Sequence, residues 1–268
     1  MFRRLGHISA LFILVTAFCS CSDFNKVLKS TDMDLKYREA VKYYDKGDCS
    51  HALTLFEELY SVYKGTAKAE SIYYYYAYAN YCVGDYLLAA YHFKMFSKIF
   101  PYSKHVEECA FMGAYCYYQE SPRWSLDQTD TRNAIKELQF FINKYPNSAR
   151  IEECNKLIDY LRQKLERKCF EQAKLYYNME DYKGTMVSVD NILKEFPDTK
   201  YREDALFMKL KASYLLAERS VESKKHDRLN TTIDLYNKFI AAFPQSKYLK
   251  DAEKILNDTN KLKDKTTK

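Results

Sequence analysis

A short closure, aromatic-Pro-x-Ser/Thr, recurs four times: "FPYS" from Phe100, "YPNS" from Tyr145, "FPDT" from Phe196 and "FPQS" from Phe243. Its prolines, Pro101, Pro146, Pro197 and Pro244, stand 45, 51 and 47 residues apart. Each follows an amphipathic stretch and ends it, because proline has no N–H to donate and disfavours helix in the residue before it. The Ser or Thr behind it is placed to cap the next helix. Self-similarity at a near-fixed period is the mark of a repeat array.

Walking back from each proline recovers the rest of the unit. From Gly84 the offsets to Ala89, Phe93 and Pro101 are 5, 9 and 17, and Gly47 stands at the same offsets from Ala52, Phe56 and Lys64. The other units carry Ala134, Leu138 and Phe141; Thr185, Val189 and Ile192; and Thr232, Tyr236 and Phe239. The small residue lets two antiparallel helices approach, and the larger ones fill the space between them. Only 6 Gly and 5 Pro argue against an all-β chain, which needs many turns. The pattern resembles a tetratricopeptide (TPR) array: an all-α, TPR-like helical solenoid of about five helix-turn-helix repeats. Between the second and third of these prolines, residues 149–178 read as one unbroken helix on the order of 45 Å long, a stiff join between two halves. Excursions at 119–130 and 218–229 fall between the helices of their units. The expected layout is a signal at 1–20, a tether at 21–32, repeats 1–3 over 33–148, the long helix and repeats 4–5 over 149–255, and a basic tail at 256–268.

The N-terminus fixes the compartment. Arg3 and Arg4 precede an apolar run from Ile8 to Phe18, too short to cross a membrane, which needs about 20 residues. A basic start and a short apolar core describe a secretory signal. Ser20-Cys21 after that run is similar to the end of a bacterial lipoprotein signal, which assigns lipidation to Cys21 and makes Cys19 part of the discarded peptide. Removing residues 1–20 takes two arginines and no acid, so the net charge falls from +6 to +4, too mild for a nucleic-acid binder. Cys49, Cys82, Cys109, Cys116, Cys154 and Cys169 are scattered, with no C-x-x-C pair, and read as small buried hydrophobes rather than a disulfide framework or metal site.

Together the lipoprotein signal, the five units, the closures and the long helix with "LRQKLERKCFEQAKLYY" resemble the BamD family, lipoproteins of the outer-membrane β-barrel assembly machinery; "FPDTKYREDAL" from Phe196 looks like that family's fourth-repeat exit. The resemblance implies a lipid-anchored protein of the outer membrane facing the periplasm. It implies that the N-terminal repeats receive unfolded barrel precursors and that the C-terminal half binds the periplasmic domains of the barrel-forming BamA subunit, with no cofactor.

Two surfaces follow. In "AESIYYYYAYANYC", an inward Ala77 puts Tyr74, Tyr78 and Tyr81 on another stripe, and Tyr37, Tyr44 and Tyr118 hold corresponding places in neighbouring units. Such tyrosines suit an apolar or aromatic peptide, or else are partly core or a solvated face. Arg202, Glu203 and Asp204 at a helix start, and Lys224, Lys225 and Arg228 in a charged excursion, are either rim contacts for a partner or a solvated face. Catalysis is not expected. The histidines His51, His92, His105 and His226 lie in different units, and there is no H-E-x-x-H, G-x-S-x-G or phosphate-binding loop. A TPR lipoprotein serving cell-wall synthesis or polysaccharide export would use the same fold and anchor.

Overall fold

The computed structural model describes residues 23–266. After a helical turn at 23–28, eleven helices follow: α1 (Met33–Asp45), α2 (Cys49–Tyr63), α3 (Ala69–Val83), α4 (Tyr86–Ile99), α5 (Val106–Glu120), α6 (Thr129–Lys144), α7 (Ile151–Asn178), α8 (Tyr182–Glu195), α9 (Arg202–Glu218), α10 (Glu222–Ala242) and α11 (Leu249–Thr266). There is no strand among the described residues. The helices pair as A and B members, α1/α2, α3/α4, α5/α6 and α9/α10, with α7 meeting α8 through Ala173, Val189 and Ile192, and α11 packs on α10 and α9. The chain divides into two compact units, one of residues up to 122 with 127–161, the other of 123–126 with 162 onward.

The small positions do what the spacing requires. Ala52, Ala89, Ala134 and Thr185 are fully buried and Thr232 nearly so, each on a B helix. Ala40, Ala77, Ala173 and Ala212 answer them from the A helices, also fully buried. Around these contacts lie Phe56, Phe93, Leu138, Val189 and Phe239. Burying a Phe or Leu of this kind stabilises by about 1.5–3 kcal/mol each.

Three of the five A-to-B turns use one geometry. Gly47 and Gly84 have φ of 77° and 88°, the left-handed region where a side chain is penalised. Glu180 takes that place before α8 at φ 62°. In two of these turns the aspartate that follows caps the B helix: Asp85 accepts from the Leu88 amide and Asp181 from that of Gly184, whereas Asp48 makes no such bond.

The B-to-A closures are uniform. The aromatic amide returns to the helix carbonyl four residues back, and the Ser or Thr amide donates to the aromatic carbonyl at 3.0–3.1 Å in all four. Proline therefore occupies the second position of a tight turn, for which its φ is pre-set. Tyr63-Lys64-Gly65-Thr66 closes the first repeat with the same bond at 3.0 Å, so the missing proline changes no topology.

The closing hydroxyl is not a helix cap. The residues capping α5 and α9, His105 and Tyr201, make no side-chain cap bond. Ser103, Ser148, Thr199 and Ser246 instead accept from the amide two residues on, before the helix begins. Three of them also donate across the unit to a glutamate in the first turn of the preceding A helix: Ser103 to Glu70 at 2.7 Å, Ser148 to Glu107 at 2.5 Å, and Ser246 to Glu203 at 2.6 Å. Each bond ties the end of a repeat to its own beginning.

Three expectations need correction. The segment 218–229 is not an excursion: α9 and α10 are separated only by residues 219–221. It holds no Gly or Pro, Lys225 pairs with Glu222 at 3.0 Å, and Leu229 is fully buried. The stretch beyond 255, read as a tail, belongs to α11 through Thr266, with Thr259 fully buried. The cysteines are not all simple hydrophobes, because Cys49 and Cys82 form a disulfide, with Cα atoms 5.8 Å apart. They stand at successive A-to-B turns, and a separation of 33 residues is close to one repeat, so the fold brings them together. Cys109, Cys116 and Cys154 are free and buried, and burial raises their thiol pKa values, to about 12 for Cys116 and about 11 for Cys154.

Closing a 33-residue loop in this way should stabilise the fold by about 3–4 kcal/mol. Cys82→Ser should lower the melting temperature, and a reductant should reproduce the loss in the wild type without further effect on the variant. Ser246→Ala should cost about 1–2 kcal/mol in urea unfolding, and a double-mutant cycle with Glu203→Gln should show coupling between the two.

Candidate functional site

In the first unit the A helices carry a face of aromatic rings in two runs, the first joined through the buried Phe56 of α2. Tyr37 of α1 meets Phe56 edge-on at 6.4 Å, Phe56 stacks on Tyr75 of α3 at 5.4 Å, and Tyr75 meets Tyr44 at 5.6 Å and Tyr74 at 5.7 Å. Tyr74 leans on Tyr78 at 4.8 Å. Further along, Tyr81 lies 6.4 Å from Tyr115 of α5, Tyr115 stacks on Tyr118 at 5.5 Å, and Tyr118 reaches Tyr160 of α7 at 6.1 Å. All six tyrosines singled out in the sequence lie in this face, half-buried, while Ala77 points into the core as required. Four consecutive tyrosines supply it because they cannot share one direction: Tyr73 is core, and Tyr75 bridges α1 to α3.

A charged centre lies within the face. Glu108 of α5 accepts from the hydroxyls of Tyr74 at 2.9 Å and Tyr78 at 2.6 Å, and its other oxygen is 3.3 Å from His105 Nδ1. Burial opposes ionisation of Glu108, but the hydroxyls of Tyr78 and Tyr74 and the neighbouring His105 outweigh it and hold the pKa below the usual carboxylate value. Burial, reinforced by the bond to Glu108, pushes both phenols up. These two tyrosines therefore offer ring faces to a ligand, with their hydroxyls already engaged. Glu108 was not legible as a site residue, because a lone glutamate near a helix start reads as a dipole partner.

In the second unit the charged candidates are occupied internally. Arg202 donates to the Pro197 carbonyl at 2.9 Å and Glu203 accepts from Ser246. Asp204 accepts from Tyr248 and pairs with Lys247 at 2.8 Å. Lys225 pairs with Glu222, Arg228 donates to Ser220, and Lys224 is exposed. Nearby, Arg219 at the end of α9 pairs with Glu180 and lies 5.3 Å over the Tyr182 ring. The structure does not gather Arg202, Glu203 and Asp204 into one outward patch; two of the three fasten the turn between α10 and α11 to the start of α9. Cys21 lies outside the described residues. No group of three or more His, Cys, Asp or Glu placed to hold a metal occurs among the described residues, and none of the described helices is long and apolar enough to cross a membrane.

The model of the YfiO family, described as outer membrane lipoprotein, matches residues 29–229, most of the chain, and ends early in α10. The chain belongs to this family. Three relatives named outer membrane protein assembly factor BamD agree with that placement. The protein of Caulobacter vibrioides is 22% identical, over 87% of this chain and 73% of its own length. That of Pasteurella multocida is 23% identical and that of Haemophilus influenzae 22%, each over 74% of this chain and 80% of the relative. Among solved structures, the TPR2AB-domain–pHSP90 complex of yeast Sti1 aligns over 85% of this chain and 98% of its own, at 12% identity and a TM-score of 0.39. At that score the superposition adds nothing to the helix pairing described above.

Since the folded pKa of Glu108 is depressed, its contribution to stability is present above the unfolded carboxylate pKa and is lost as pH falls through the folded value. Glu108→Gln should destabilise the protein by about 1 kcal/mol at neutral pH. The difference in melting temperature from wild type should close on acidification, and a gap unchanged between neutral and acid pH would assign Glu108 no such role.

Proposed function

We propose that the protein is a non-catalytic adaptor of outer-membrane β-barrel assembly. It is lipidated at Cys21, held at the outer membrane facing the periplasm, and takes unfolded barrel precursors on the aromatic face of its N-terminal repeats. Its C-terminal half docks the periplasmic domains of a BamA-like barrel subunit, with Lys224 and the exposed edges around Arg202 and Arg228 at the rim. The observation that carries this reading is the aromatic face itself: half-buried rings from Tyr37 to Tyr118 on successive A helices, with the exposed Tyr160 of α7 at its end. Rings of this type supply large contact area at low entropic cost and accept many apolar sequences, as a receiver of diverse unfolded chains requires. The family placement and the assembly-factor relatives support the same reading.

A photo-reactive residue at Tyr44 or Tyr118 should crosslink to an unfolded barrel precursor peptide, and the same residue on exposed Leu126 should not. Tyr44→Ala with Tyr118→Ala should weaken precursor binding by about tenfold or more with the helical signal unchanged. Equal crosslinking at all three positions would remove the face from the binding site. For the anchor, Cys21→Ala should abolish labelling by a lipid precursor and release the protein from membranes.

A further inference from the structure

A second surface lies on the B helices of the first unit, apart from the aromatic face. α4 and α6 flank a groove of about 780 Å³, floored by Ile135, Phe141 and Tyr145, with Ala110 of α5 at its base. Along α6, Arg132, Lys136, Phe140 and Lys144 recur every four residues and so form one outward stripe. Phe140 is 63% exposed, unusual for a ring in a well-packed repeat. From α4, Lys94 and Lys98 face the same groove. The lining holds five cationic side chains and a single carboxylate, Glu137, which is bonded to Lys94 at 2.6 Å. Lys98, Lys136 and Lys144 make no ion pair among the described residues.

We infer that this groove docks an acidic amphipathic helix from a partner protein. The groove follows α6 from Arg132 to Lys144, more than three helical turns, and meets the last turns of α4 at Lys94 and Lys98, a form that a further helix fills. An apolar floor bounded by cations on both sides selects a helix with one apolar stripe and carboxylates flanking it. A basic segment is repelled, and a neutral apolar one leaves the lysines without partners. Phe140 closes over the docked apolar side chains and becomes buried. This site is separate from the precursor face, since the rings of that face project from A helices and these residues from B helices.

The test uses the full mature chain and two synthetic labelled helices with the same leucine stripe, one flanked by glutamates and one by lysines. Fluorescence anisotropy should show saturable binding of the acidic helix, weakened at high salt, and no binding of the basic one. Lys98→Glu with Lys136→Glu, and separately Phe140→Asp, should each reduce the affinity about tenfold or more, with circular dichroism unchanged. Equal binding of both helices, or an affinity indifferent to these substitutions, would overturn the proposal. So would capture of anionic phosphatidylglycerol vesicles that is lost in the same variants while the acidic helix fails to bind, which would make the groove a lipid contact. A photo-reactive residue at Phe140 in cells should give an adduct whose partner peptide is acidic and amphipathic; an adduct to a second copy of this chain would refute it.

Discussion

The fold depends on the close approach of paired helices at one small residue per B helix. Ala52, Ala89, Ala134, Thr185 and Thr232 sit where any larger side chain would push the pair apart. Overpacking such a seam costs about 1–3 kcal/mol in forced side-chain and backbone shifts. Once the axes are close, the next turn of each helix must supply Phe, Leu or Val to fill the wedge, and everything else in a repeat is arranged to hold that contact. In three of the five units a left-handed residue, followed in two of them by a capping aspartate, sets the reversal at one end. The aromatic-Pro turn and the serine–glutamate bond fix the other.

This economy explains why the helices were legible in the sequence and several contacts were not. Proline, glycine and the small positions act through the backbone or through volume, so their residue type alone reports their role. The disulfide was invisible because Cys49 and Cys82 meet only after two turns have been stacked one repeat apart. The serines of the closures looked like caps because the chemistry of a cap and of a tight turn is the same over two residues. Only the fold shows that the hydroxyl proton goes to Glu70, Glu107 or Glu203.

The candidate face shows the same division. A tyrosine stripe was readable from spacing, and Tyr37, Tyr44, Tyr74, Tyr78, Tyr81 and Tyr118 all lie in it. Tyr75, Tyr115, Tyr160 and Glu108 complete it, and they come from three different helices, so no local pattern marks them. Glu203 and Asp204, readable as exposed charges, turned out to be fasteners. A charge at the start of a helix carries no sign of whether its partner is water, another protein or a serine forty residues away.

The bond between Cys49 and Cys82 also decides how the molecule bears a pull. Tension applied from the N-terminal side passes from Cys49 directly to Cys82. The residues enclosed between them, all of α2 and nearly all of α3, are bypassed and cannot be drawn out. Only the short first helix is left to yield, so the aromatic rings on α3 keep their spacing while the segment ahead of them is stretched.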